Sequence, residues 1–171
     1  GKRHELTAVL VETPEPARRV LALVATVGGE VSFTLLEAMA NSDGVESGAL
    51  IDSLDVAVER RLLSETGDAT YAFPHALVRQ AVLDELTGAR RRHLPRRALE
   101  GLIAIRSTDL EALARHSLDA VPLIPIASAV DHAIAAARQL SERAAHETAA
   151  ARLEQVLAVV AGVLAVHRLD V

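Results

Sequence analysis

The chain has 171 residues, a net charge of −5 and an apolar half that contains only three aromatic residues, Phe33, Tyr71 and Phe73. Without cysteine it has no disulfides and no cysteine metal sites, and its negative charge gives no general attraction for nucleic acid or anionic membrane. A core of Ala, Leu and Val favours close-packed helices over a β-sandwich, in one large domain or two small ones. Lys2 is the only lysine among the cations, which we read as GC-rich codon usage. Gly1 in place of methionine, with an apolar helical pattern at the other end, reads as an excised fragment. No signal peptide is expected, because Leu6–Val11 is short and ends at Glu12. The apolar end from Val156 to Val166 reads as too short to span a bilayer.

Thr13-Pro14-Glu15-Pro16 signals a helix start, with Thr13 as the capping hydroxyl. Val20, Leu21, Val24 and Val27 then recur at helical spacing until Gly28-Gly29. A short helix is expected over Phe33–Ala40, with Leu35, Leu36 and Met39 inward. The turn Asn41-Ser42-Asp43-Gly44 precedes a third helix from about Gly48 to Arg60, which buries Leu50, Leu54, Ala57 and Val58. Leu62–Glu65 and Thr70–Phe73 flank a Gly/Asp turn and predict a hairpin. A fourth helix, Pro74 to Leu86, returns from it. Three helices and then a hairpin is the winged-helix order, so residues 13–86 read as a winged-helix module.

Residues 87–171 read as a helical arm. Gly88 to Ile105 carries a basic run and Pro95, where a kink or break is expected. A short helix spans Asp109–Ala120, with Leu110, Leu113 and Leu118 inward, and Val121–Pro125 is an extended linker. Two alanine-rich helices close the chain. One runs from Ile126 to Ala144 and carries Val130, Ala133, Ile134, Ala137 and Leu140. The other carries Ala149, Leu153, Val156, Leu157, Val160 and Leu164. The pair resembles one tetratricopeptide-like unit. The fold class is therefore mostly α: a winged helix with a short hairpin, followed by a repeat-like arm.

The run Tyr71-Ala72-Phe73-Pro74-His75-Ala76-Leu77-Val78-Arg79-Gln80-Ala81-Val82 puts a histidine one step past a proline, where an extended segment turns into a helix. Proline suits a first helical position, which makes His75 a first-turn residue beside free N–H groups and the positive end of the helix dipole. Such a histidine is placed to meet a phosphate.

The same run resembles the Phe-x-His-x-Leu-x-Arg-x-Ala segment in the winged-helix domain of STAND-type signal-transducing ATPases. These include the large ATP-binding LuxR-type bacterial regulators, and plant resistance proteins carry a Met-His-Asp version. Other segments are similar in order and spacing. Ala17-Arg18-Arg19-Val20-Leu21 matches the family's first winged helix, and Leu50-Ile51-Asp52-Ser53-Leu54 through Arg61-Leu62-Leu63 its third helix and wing entry. Arg90–Leu94 with Arg96–Leu99 matches the helix after the wing, and Leu113-Ala114-Arg115-His116 with the closing pair the start of its repeat arm. The likeness covers roughly Thr13 to Val160. It departs at Ala76, where the plant version has aspartate, at Pro95 in a normally continuous helix, and at Leu153, where the arm often has tyrosine. No Gly-x-x-x-x-Gly-Lys-Ser/Thr loop occurs in the sequence.

The resemblance implies a regulatory, cytoplasmic and non-enzymatic segment of a multidomain protein. Its partner is the adjacent nucleotide-binding domain of the same chain. His75 senses the phosphates of ATP or ADP bound there, and the segment holds no cofactor of its own. The alternatives are a DNA-binding winged helix with a dimerising tail and a helical protein–protein scaffold.

DNA binding is disfavoured by the third helix, whose Gly48, Asp52, Asp55 and Glu59 share one exposed face, whereas DNA readers neutralise phosphates with Lys and Arg. The basic run Arg90, Arg91, Arg92, His93, Arg96, Arg97 points around the helix and can pair with Asp84, Glu85 and Glu100. His116, His132, His146 and His167 are scattered. His132 and His146 face each other at most as a pair without a third ligand, so no metal site is expected. No nucleophile-elbow motif supports catalysis. The closing helix is apolar on all sides and predicts self-association through Val159, Val163 and Val166, or packing back onto the winged helix.

Overall fold

The computed structural model describes residues 1–142 and 146–169. It is mostly helical with a small three-stranded sheet, and divides into a first unit, Gly1–Ile105, and a second, Arg106–Val171.

The first unit begins with α1 (Lys2–Glu12), a helix that the polar start of the sequence does not announce. Thr13 belongs to this helix. Its hydroxyl donates to the Val9 carbonyl at 2.7 Å and does not cap the next helix as expected. α2 (Glu15–Val27) starts instead behind Pro14, with Pro16 in its first turn. β1 (Val31–Ser32) leads into α3 (Phe33–Asn41), capped by the Ser32 hydroxyl, which accepts from the Leu35 N–H. α4 (Ser47–Glu59), β2 (Ser64–Gly67), β3 (Thr70–Ala72), α5 (Ala76–Asp84) and α6 (Gly88–Ala104) follow. The antiparallel sheet has the order β1-β3-β2, with Val31 opposite Tyr71 and Glu65 opposite Tyr71 from the other side. Helix, strand, two helices and a hairpin whose second strand sits centrally is the winged-helix topology. β1 was not expected, because two residues carry no periodicity; its ladder with β3 makes it a strand.

Leu21, Val24, Leu36, Met39, Leu50, Leu54, Leu62 and Leu63 fill the centre of this unit. Ser53 faces inward on α4, donating to the Ala49 carbonyl at 2.8 Å, while Val58 is only half-buried. α6 belongs here and not to the arm, which moves the boundary from residue 86 to residue 105. The reason is packing: Ala98, Leu99, Gly101 and Leu102 are buried where α6 meets α2 and α3. Gly101 permits the approach, since a Cβ there would lie 2.6 Å from Met39 Cγ. α6 is not broken at Pro95; the helix runs through it.

The second unit is α7 (Leu110–Ala120), α8 (Ile126–Glu142) and α9 (His146–Leu169). α8 packs on both α7 and α9. Ala114, Ala129, Ala133 and Ala136 meet at the crossings with Leu118 and Val156, small side chains that let helix axes approach closely. Ala144, the expected end of α8, lies outside the described residues. On α9, Ala149 and Val156 are buried, while Leu153, Leu157 and Leu164 are exposed. α9 is also longer than its apolar end suggests. Over His146–Val166, 21 residues that contain an 18-residue window of mean hydropathy 1.7, it is long and apolar enough by length and composition to cross a membrane. Arg152 within that stretch pairs with Glu111 of α7, and a charge placed mid-bilayer costs about 2.5–3.5 kcal/mol on insertion scales.

Candidate functional site

The Phe73–Ala81 run divides by direction. α5 starts at Ala76, so Pro74 lies outside the helix and His75 is its cap residue, with extended backbone (φ −143°, ψ 141°), not a first-turn residue. A residue preceding the helix keeps its own carbonyl available, and that of His75 accepts from the Val78 N–H at 3.0 Å. Its imidazole makes no capping bond and is exposed. Leu77, one residue into α5, is 64 % exposed. Pro74, Ala76 and Gln80 are exposed as well, and the remaining members turn inward. Val78 and Val82 are buried, Phe73 and Ala81 half-buried. Arg79 donates from Nε to the Ala25 carbonyl at 2.9 Å, satisfying a last-turn acceptor of α2. α5 is thus held against α1 and α2, while His75 and Leu77 project from its head.

The exposed side of α4 carries Asp52, Asp55 and Glu59, with Ile51 beside them 46 % exposed. Asp55 and Glu65 of β2 reach the field of Tyr71, whose phenol pKa is raised first by burial and then by those two carboxylates. The recognition-helix side of this winged helix is therefore acidic from α4 across the hairpin.

The basic run on α6 is largely engaged. Arg90 bonds Glu15 at 3.0 Å, Arg96 bonds Glu100 at 2.8 Å, Arg97 bonds Asp43, and Arg91 donates to the Leu83 carbonyl at 2.8 Å. Glu100 was expected as a partner; Glu15 and Asp43, distant in sequence, were not. Hydrogen bonds from Arg90 and then Arg19 hold the Glu15 carboxyl below the usual range. Beneath this cluster lies a cavity of about 80 Å³ floored by Leu10, Leu21, Val82 and Leu86. Ligand pockets run to about 300–1,000 Å³, so a nucleotide does not fit there.

Among the described residues, the histidines of the arm form no metal-binding group. His146 is exposed at the head of α9. His132 on α8 meets Ser117 on α7, Nδ1 to Oγ at 2.7 Å. Ser117 spends its only proton on the Leu113 carbonyl at 2.6 Å, so His132 Nδ1 is the donor of that pair. His116 is 1 % exposed, and its Nδ1 has no partner. Burial, and secondarily Arg115, lowers its pKa to about 4. No group of three potential metal ligands occurs among the described residues. This polar seam was missed in the sequence, where Ser117 and His132 stand on different helices with no motif linking them.

Comparison of the chain with known protein families, curated proteins and solved structures returns no match.

Proposed function

We propose that this chain is a regulatory segment of a STAND-like transcriptional regulator, relaying the nucleotide state of an adjacent ATPase domain to a sensor or output domain. The observation that carries this reading is the exposed pair His75 and Leu77 at the head of α5, a helix held in place through the buried Val78 and Val82. An imidazole beside unpaired N–H groups suits a phosphate, and an exposed leucine suits a protein surface around it. ATP or ADP would be held by the neighbouring domain, with His75 the one contact from this chain. The acidic α4 face favours a protein contact over DNA, because phosphates repel it. This role places the protein in the cytoplasm and gives it no reaction of its own.

The test is His75→Ala in the protein that also carries the ATPase domain. The expected result is faster loss of bound ADP or raised basal output, at unchanged expression. Unaltered ADP retention in both His75→Ala and Leu77→Glu would remove the reading.

A further inference from the structure

We propose that the cavity of the first unit, between α1, α2, α5 and α6, binds a free α-amino acid with a small aliphatic side chain, such as valine or leucine. Leu10 of α1, Leu21 of α2, Val82 of α5 and Leu86 just beyond α5 form one apolar floor. The first three are buried and Leu86 is half-buried. An apolar cavity of about 150 Å³ holds a benzene ring, so one of about 80 Å³ holds three or four carbons. That matches a branched aliphatic side chain and excludes an aromatic one. Neither His75 nor Leu77 lines this cavity, so the inference stands apart from the nucleotide reading.

Charge sets the rest of the ligand. The lining carries two charges of each sign, Arg18 and Arg90 against Glu15 and Glu85. Such a balance favours neither a simple anion nor a simple cation. The pairing within it is unequal. Glu15 takes Arg18 at 2.8 Å, Arg90 at 3.0 Å and also Arg19, which does not line the cavity, at 3.2 Å. One carboxylate thus serves three guanidiniums, which leaves donors of Arg18 and Arg90 open to a second carboxylate. Glu85, exposed at the C-cap of α5, enters no ion pair among the described residues. The backbone agrees in sign, since Arg18 and Arg90 stand in the first turns of α2 and α6 and Glu85 at the end of α5. Of the charges beside these in sequence, Arg91 is bonded to the Leu83 carbonyl and Asp84 to Gln80. A zwitterion answers this layout. Its carboxylate meets Arg18 and Arg90, its ammonium meets Glu85, and its side chain enters the cavity.

Titration calorimetry of this chain with L-leucine should give a dissociation constant of about 1 mM or below. Leucinamide and N-acetyl-leucine, which each lose one charge, should bind at least about tenfold more weakly. So should phenylalanine, whose ring exceeds the cavity. Glu85→Gln should weaken leucine about tenfold and leave N-acetyl-leucine unchanged, because acetylation has already removed the ammonium. Leu86→Trp should fill the cavity and abolish binding, with helicity intact by circular dichroism. Glu85 is exposed and unpaired, so Glu85→Gln keeps the fold and the test holds even where Leu86→Trp does not fold. Absence of binding at about 20 mM leucine overturns the proposal. So does equal affinity for leucinamide, N-acetyl-leucine or phenylalanine, or a leucine affinity indifferent to Glu85→Gln.

Discussion

α2 and α9 are both rich in alanine, valine and leucine, yet they meet opposite fates. Eight of the 13 residues of α2 are buried, because α3, α4, α5 and α6 surround it. α9 is almost twice as long and packs on α7 and α8 within its own unit, with Leu153, Leu157 and Leu164 exposed. Apolar composition therefore does not fix burial; the number of neighbours does. A helix that is hydrophobic all round is a demand for partners, and only the fold says whether the demand is met.

The sharpest way to break this comparison is to truncate one leucine on each helix. Leu21 is fully buried. Leu21→Ala should cost about 3–4 kcal/mol, through lost transfer energy and the cavity left behind. Leu157→Ala, at a site 68 % exposed, should change stability by less than about 0.5 kcal/mol. Urea unfolding at about 1 μM protein measures both. Equal losses would mean that α9 is covered in solution and that the contrast is false.

The second unit carries a different weakness, a buried polar group. His116 has a folded pKa of about 4 against an ordinary value of 6.5. The unfolded chain therefore binds the proton first as pH falls. The stability attached to neutral His116 is complete above pH 6.5 and drains as pH drops towards 4, by about 3 kcal/mol at most. Amide exchange in α7 and α8 between pH 7 and pH 4.5 should reveal this loosening, and His116→Leu should flatten the slope. A variant with the same slope as the wild type would show that carboxylates, not His116, govern the acid response.

What was legible follows from the same physics. The helical periods over Val20–Val27, Phe33–Ala40 and Gly48–Arg60 were readable because one face of each is buried, and a buried face imposes a period. The hairpin was readable from its turn residues. β1 was not, because a two-residue strand exists only through its register with Tyr71 and Thr70. Pro95 misled, since a proline is read as a helix breaker while the flanking contacts of Ala98 and Leu102 hold α6 together. Thr13 misled because one hydroxyl can serve the helix behind it as well as the one ahead. On α9 no packing face was legible, since a helix apolar on every side has no period to orient it. Of the candidate site, the position of His75 at the head of a helix was legible to one residue. The division of its run into inward and outward members was not, because Arg79 is tied to Ala25, a partner 54 positions away.

That division supports the prediction with the smallest effects. Arg79→Met should cost about 1–2 kcal/mol, because it leaves the Ala25 carbonyl of α2 without its charged donor. His75→Ala should cost less than about 0.5 kcal/mol, since the imidazole makes no capping bond and stands in solvent. The cap position is in fact unused. His75→Asp should gain about 0.5–1 kcal/mol by accepting from an α5 N–H and by setting a negative charge at the positive end of the helix. Thermal melts of the three variants rank them. If His75→Asp stabilises while His75→Ala is neutral, then histidine is not the residue that stability selects at position 75. Its presence there then asks for an explanation outside this fold, which a phosphate on a neighbouring domain supplies. If His75→Ala instead costs as much as Arg79→Met, the imidazole is a packing group, and the outward face of α5 loses its claim to be a site.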